Sequence, residues 1–139
     1  MKRKTGLALM AIVVGALVAG VMAGLMSWQR PALDQTTWYL TRWSESTVIP
    51  SGSLVSFYID GVEYVGSTGV NDFTGTIARD GRVMSLSAPN LTTHLTGQWS
   101  QDVVEQAYLT LLPQMSGWQI DGDVLTLTGN GHQLIFTQQ

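Results

Sequence analysis

Acid–base or nucleophilic catalysis needs a positioned base, and this 139-residue chain offers two histidines, His94 and His132. His94 lies in the polar stretch NLTTHLTGQW, and His132 follows Asn130-Gly131 at the head of an apolar alternation. Neither has a Ser-rich elbow or a Gly-x-Ser-x-Gly pattern beside it, so the parts of a Ser or Thr hydrolase are not assembled in the sequence. Two histidines and no cysteine cannot build a structural zinc site of the usual kind. Asp121-Gly122-Asp123 is too short for a calcium loop and reads as a hairpin turn. Glu45, Glu63, Asp72 and Glu105 supply carboxylates, yet no spacing selects a glycosidase pair. LPQMSG, Leu112 to Gly117, looks like a cell-wall sorting signal but has one residue too many and no apolar tail. The glycosylation sequon at Asn90 matters only where a secretory system reads it. No catalytic residue, cofactor or metal site is expected.

Aromatic residues are the remaining source of chemistry. Trp38, Trp43, Tyr58, Tyr64, Trp99 and Trp118 are many for so small a chain. A barrel mouth lined by them takes an apolar ligand or a peptide, and exposed rings make a docking patch. Core packing is the plainer account of a Trp in a strand. Trp43, Tyr58, Trp99 and Trp118 are the candidate ligand or partner surface.

What positions these side chains is an exported domain behind an apolar N-terminus. Residues 1–4 are a basic tail, and residues 5–28 form an unbroken uncharged run. Its apolar part, Leu7 to Met26, is 20 residues, about 30 Å of helix and one bilayer core. Lys2, Arg3 and Lys4 place the N-terminus in the cytoplasm and the rest outside. A cleaved signal peptide is the rival reading, since Val21 and Ala23 suit a cleavage site, but signal cores are usually only about 7–15 residues. The domain is then membrane-anchored and periplasmic or cell-surface, or secreted if the segment is cleaved. No cysteine follows the run, which excludes lipoprotein processing. Small residues recur every four positions in it, a pattern that permits an anchor dimer, although export segments are commonly rich in Gly and Ala.

Beyond the run, four arginines face ten acidic residues, a net charge of −6 that disfavours nucleic acid. Without disulfides, the exported part must be held by its core, which is feasible at this size. Residues 29–36 read as a tether and residues 37–139 as the domain. TWYLTRW and SLVSFYID alternate as strands, the latter with Val55, Phe57 and Ile59 on one face. Asp60-Gly61 and Asp80-Gly81 are hairpin signals in an antiparallel meander. From Asp102 the period changes: Val103, Ala107 and Leu111, and Val104, Tyr108 and Leu112, are spaced as on a helix, with Asp102 and Glu105 as its capping box. Pro113 ends it, and two further hairpins close the chain. The layer solution is a mainly β fold, a small, partly open antiparallel barrel of about eight strands with one inserted helix.

The order TWYL, VSFYIDG, GSTGVNDFTGTI, MSLSAPNLTTHL, VEQAYLTLL, GWQIDGDVLTLTG, LIF resembles the META domain family, the HslJ-like envelope proteins. The family motif falls on Trp38, Gly69, Asn71, Phe73, Gly75, Gly122 and Asp123. The family's first cysteine position is Val70 here and its second falls at about Gly97, so the disulfide common in relatives is absent; an unpaired thiol would be a liability in an oxidising compartment. The chain is also similar to pilotin-like lipoproteins with a cracked barrel. The resemblance implies a non-enzymatic envelope protein of maintenance or stress response that binds a protein or lipid-like ligand. The alternatives are a structural domain with no small ligand, or a hydrolase. In STGVNDFTG, Asn71 is expected to bond to nearby backbone while Phe73 re-enters the core.

Overall fold

The computed structural model describes residues 32–50 and 54–138. The expected N-terminal transmembrane or signal segment lies outside the described residues, and no helix among them is long and apolar enough to cross a membrane.

Among the described residues nine strands and one helix follow in order: β1 (Trp38–Trp43), β2 (Val55–Asp60), β3 (Glu63–Thr68), β4 (Asp72–Asp80), β5 (Val83–Leu86), β6 (Asn90–Leu91), α1 (Trp99–Leu111), β7 (Gly117–Asp121), β8 (Val124–Gly129) and β9 (His132–Gln138). A short 3-10 turn, Leu112–Gln114, continues α1 where Pro113 can no longer supply a backbone donor. Four two-residue turns set the hairpin registers. Gly61, Gly81 and Gly122 each open such a turn at a φ of 61–67°, the single positive angle that a type II′ turn needs. Asn130 and Gly131 are both positive, as in type I′.

The expectation of a partly open barrel is corrected: the barrel is closed, with eight antiparallel strands in the ring β3-β2-β1-β9-β8-β7-β5-β4 and β4 paired back to β3. Only the two-residue β6 stands outside the ring, paired to β4. The narrowest seam joins β5 to β7 through the single register pair Val83↔Gly117. Backbone bonds from Met84 to Ser116 and from Trp118 to Arg82 complete that seam at 2.9 and 3.1 Å. Closure removes the free edges that an open sheet would expose.

Period-two alternation supplies the interior. Val55, Phe57 and Ile59 of β2, Leu125 and Leu127 of β8, and Leu134 and Phe136 of β9 are all fully buried. Phe57, Tyr64, Phe73, Tyr108 and Phe136 stack as one aromatic chain with centroids 5.7–6.4 Å apart. The interior is thereby filled by side chains. Gly75 is needed for this: a Cβ there would collide with the Tyr64 ring.

Helix α1 lays Val104, Tyr108 and Leu111 over the barrel, and the Tyr108 hydroxyl donates to the Ser56 carbonyl at 3.2 Å. It begins three residues before the expected Asp102 start. Gln101 accepts from the Gln98 backbone N–H at 2.9 Å, so the cap is built one turn earlier, while Asp102 accepts from Gly97 at 3.0 Å. Residues Leu33 to Gln35, read from sequence as tether, pack onto the barrel. Leu33 is buried, Gln35 donates to the Ile59 carbonyl at 3.0 Å, and Asp34 pairs with Arg79. The chain thus enters at the end carrying the turns Gly61-Val62 and Gly81-Arg82. The opposite end carries the β1–β2 loop, the β3–β4 corner and the start of α1.

Candidate functional site

The corner STGVNDFTG lies at that opposite, loop-bearing end and is built around a buried polar knot. Gly69 takes a φ of 90° between Thr68 and Val70, and the Thr68 N–H donates to the Asn71 carbonyl at 2.8 Å. The Thr68 hydroxyl accepts from the Asn71 and Val70 N–H groups and donates to Glu105 Oε2 at 2.6 Å. Asn71, also buried, donates through Nδ2 to Glu105 Oε2 and to the Leu95 carbonyl, each at 2.9 Å. Its Oδ1 accepts from the Thr93 hydroxyl and the Leu95 N–H. The expected local bond of Asn71 is therefore a long-range one, joining the corner, the 93–95 loop and α1. Every hydrogen-bonding position of this amide is used, which is what burial of an amide demands. Phe73, as expected, turns into the core.

Thr68, Thr93 and Glu105 were not singled out for this role by the sequence. The available signal was Glu105 itself, a carboxyl on the helix stripe otherwise occupied by Val104, Tyr108 and Leu111. Beside the knot, Val70 and Gly97, at or near which the resemblance places the family's cysteine pair, are neighbours: a Cβ on Gly97 would stand 2.8 Å from Val70 Cγ2.

The four aromatic residues proposed as one surface are dispersed. Trp43 donates to the Thr47 carbonyl at 2.7 Å and pins the loop after β1. Tyr58 donates to Gln35 Oε1 at 2.8 Å at the entry end. Trp118 donates to the Gly81 carbonyl at 3.0 Å, with the Arg82 guanidinium 5.5 Å over its ring. These three hold loops and turns in place. Trp99, the first residue of α1, is different, being 80% exposed. It lines an apolar cleft of about 420 Å³ with Val103 and with Val48, itself 80% exposed. Trp38 is in the core, its indole N–H donating to the Leu33 carbonyl.

His132 Nδ1 lies 3.1 Å from Glu45 Oε2, a histidine–carboxylate pair of the kind a hydrolase uses. The nearby hydroxyl of Ser44 is engaged elsewhere, accepting from the Gln133 backbone N–H at 3.0 Å. The pair joins the β1–β2 loop to the β8–β9 turn. Open clefts of about 470 and 540 Å³ lie beside Trp43 and Trp118. Among the described residues no three His, Cys, Asp or Glu side chains are gathered as a metal site. Burial pushes the Tyr64 phenol up to about 12, against an opposing hydrogen bond to Ser87. Burial, with the neighbouring Tyr64, raises the Tyr108 phenol well above its usual 10.

Comparison with solved structures supports the same architecture. An NMR structure of a protein from Burkholderia xenovorans is 24% identical with a TM-score of 0.63, over 77% of this chain and 83% of that one. The crystal structure of a DUF4847 family protein from Bacteroides vulgatus is 14% identical with a TM-score of 0.55, over 76% of this chain and 93% of that one. At these identities the likeness is one of fold. Comparison with curated proteins finds no match. The model of the META domain matches residues 31–139, the span that holds the closed barrel, the Asn71 corner and α1, and the chain belongs to the META domain family.

Proposed function

We propose that this META domain is a non-enzymatic, membrane-anchored module of the cell envelope, facing outward, that docks a partner through the loop end of its barrel. The observation that carries this reading is Trp99, a large aromatic 80% exposed beside the equally exposed Val48. Burying an indole contributes strongly to association, and tryptophan is enriched where interfaces concentrate their energy. The filled interior favours an external partner over a small ligand held inside the barrel. It also gives some support to a second reading, a structural or stress-response domain without a small ligand.

Affinity capture from crosslinked membranes with the full chain and its Trp99→Ser variant tests the proposal. A protein or lipid retained by the parent and lost from the variant is the expected result, whereas equal recovery by both overturns it. N-terminal sequencing of the mature protein checks the anchor. A start near Gly24 would mean a soluble, released domain.

A further inference from the structure

The β1–β2 loop leaves the barrel beside the head of β9, and the contacts between the two end on a titratable pair. The β9–β1 ladder runs to the register pair Leu134↔Trp43. One step further, the Ser44 N–H donates to the Gln133 carbonyl at 3.1 Å, and the Gln133 N–H donates to the Ser44 hydroxyl at 3.0 Å. The next step is made by side chains, His132 Nδ1 against Glu45 Oε2 at 3.1 Å. Beyond Glu45, among the described residues, the loop's hydrogen bond is to β1 itself, from the Trp43 indole to the Thr47 carbonyl. The His132–Glu45 contact is therefore the last polar tie from the loop to β9. Val48, three residues past it, walls the cleft that Trp99 and Val103 of α1 close from the other side.

The charges around this pair are few. β8, the Asn130-Gly131 turn and β9 hold no charged side chain besides His132, and neither does the 3-10 turn that meets Asn130 through Gln114. β1 and its loop hold Arg42 and Glu45, which line one cleft beside Trp43. A neutral imidazole gives the carboxylate an ordinary hydrogen bond, whereas a protonated one gives a charge-assisted bond about twice as strong. Histidine is the side chain that ordinarily makes this change between pH 5 and 8. The hold is then greatest where His132 is protonated and Glu45 ionised, and it falls as rising pH removes the imidazole proton. The two side chains are 34% and 30% exposed, so water and salt limit the gain to that of a surface pair.

We infer that His132 and Glu45 form a pH-responsive clasp, which draws the β1–β2 loop onto β9 in mild acid and slackens it at alkaline pH, carrying the Val48 wall of the cleft with it. This stands apart from the docking reading, because it concerns how the loop is held and not what binds beside it.

The chain has no cysteine, so a nitroxide on Val48→Cys reports the loop alone, in the full chain held in phosphatidylcholine nanodiscs. Electron paramagnetic resonance at low salt is expected to show the ratio of immobilised to mobile label about two- to five-fold higher at pH 5.5 than at pH 8, a difference that shrinks as salt is raised. Glu45→Gln and His132→Asn, each made in the labelled chain, are expected to abolish the difference. A label on Gln119→Cys, on the wall strand β7, is expected to show none. Equal mobility of the Val48 label at the two pH values overturns the inference. A response that survives His132→Asn assigns it to another group such as His94, and one that survives Glu45→Gln removes the carboxylate from the device; either result overturns the clasp.

Discussion

Asn71 Nδ2 donates to Glu105 Oε2 at 2.9 Å across 34 positions of sequence, and this bond ties the β3–β4 corner to the helix that covers the barrel. The same carboxyl oxygen accepts from Thr68, so one acceptor of α1 serves two donors of the corner. Asn71→Ala removes both partners of the 93–95 loop as well, leaving the Leu95 carbonyl and the carboxyl short of donors. Unsatisfied buried groups cost about 1–3 kcal/mol each, more when charged. The expected loss is therefore about 2–4 kcal/mol, a fall in Tm of roughly 10 °C or more for a domain of this size. A double-mutant cycle with Glu105→Ala should show coupling of about 0.5–3 kcal/mol. If Asn71→Ala leaves thermal unfolding unchanged and alters only partner binding, the corner is a ligand loop instead.

Val70 and Gly97, at or near which the resemblance to the family places its cysteine pair, are brought together beside the knot. A valine methyl lies one bond from its own Cβ, so a Gly97 Cβ placed 2.8 Å from that methyl puts the pair within the roughly 3.5–4.5 Å that a disulfide spans. Val70→Cys with Gly97→Cys should oxidise readily and raise stability by about 2–4 kcal/mol through closure of the intervening loop. The Gln101 side chain, 2.8 Å from the new Cβ, must turn aside and will offset part of the gain. The check is unfolding with and without reductant. A double variant that stays reduced in air, or is no more stable when oxidised, contradicts the neighbourhood of the two positions.

Much of this architecture can be read from single residues. Val55, Phe57 and Ile59 announce the inner face of β2 because a half-buried strand must alternate, and the Gly-containing turn pairs announce the hairpins because few residues tolerate positive φ. Barrel closure could not be read, since its last seam is one register pair with no sequence period of its own. The start of α1 was misplaced because Trp99 and Ser100 face solvent and carry no apolar spacing, and because Gln98 and Gln101 make an uncommon cap. The polar knot was hidden for a different reason. Its members belong to three separate segments, and only folding brings Thr68, Asn71, Thr93 and Glu105 within hydrogen-bond distance.

Tyr64 links the core to alkaline stability. Its phenol is held at about 12 in the folded protein, against about 10 for an exposed tyrosine, chiefly by burial. Below pH 10 both folded and unfolded chains keep this proton, and the contribution is fully present. Between pH 10 and 12 the unfolded chain releases the proton while the folded one retains it, so the folded state loses ground. Tyr108, raised in the same direction, extends the effect. Thermal unfolding should be insensitive to these groups up to about pH 10 and fall steeply above it. Tyr64→Phe, which loses the 2.6 Å bond to the Ser87 carbonyl, should start less stable at neutral pH but decline less between pH 10 and 12. A parallel decline in parent and variant would refute the assignment.

Gly75 and Tyr64 form a matched pair across β3 and β4, register partners in which the ring of one lies over the missing Cβ of the other. Gly75→Ala drives a methyl into the ring carbons and hydroxyl of Tyr64, which is wedged between Phe57 and Phe73 and cannot retreat. Overpacking of this kind costs about 1–3 kcal/mol. Tyr64→Leu alone opens a cavity and forfeits the bond to Ser87, so it too destabilises. Combined, the two changes should be less harmful than their sum, because the alanine methyl occupies part of the space the ring has left. Denaturant unfolding of the two single variants and the double variant measures this. Strict additivity would mean that Gly75 is required for the backbone path of β4 and not for the seat of the Tyr64 ring.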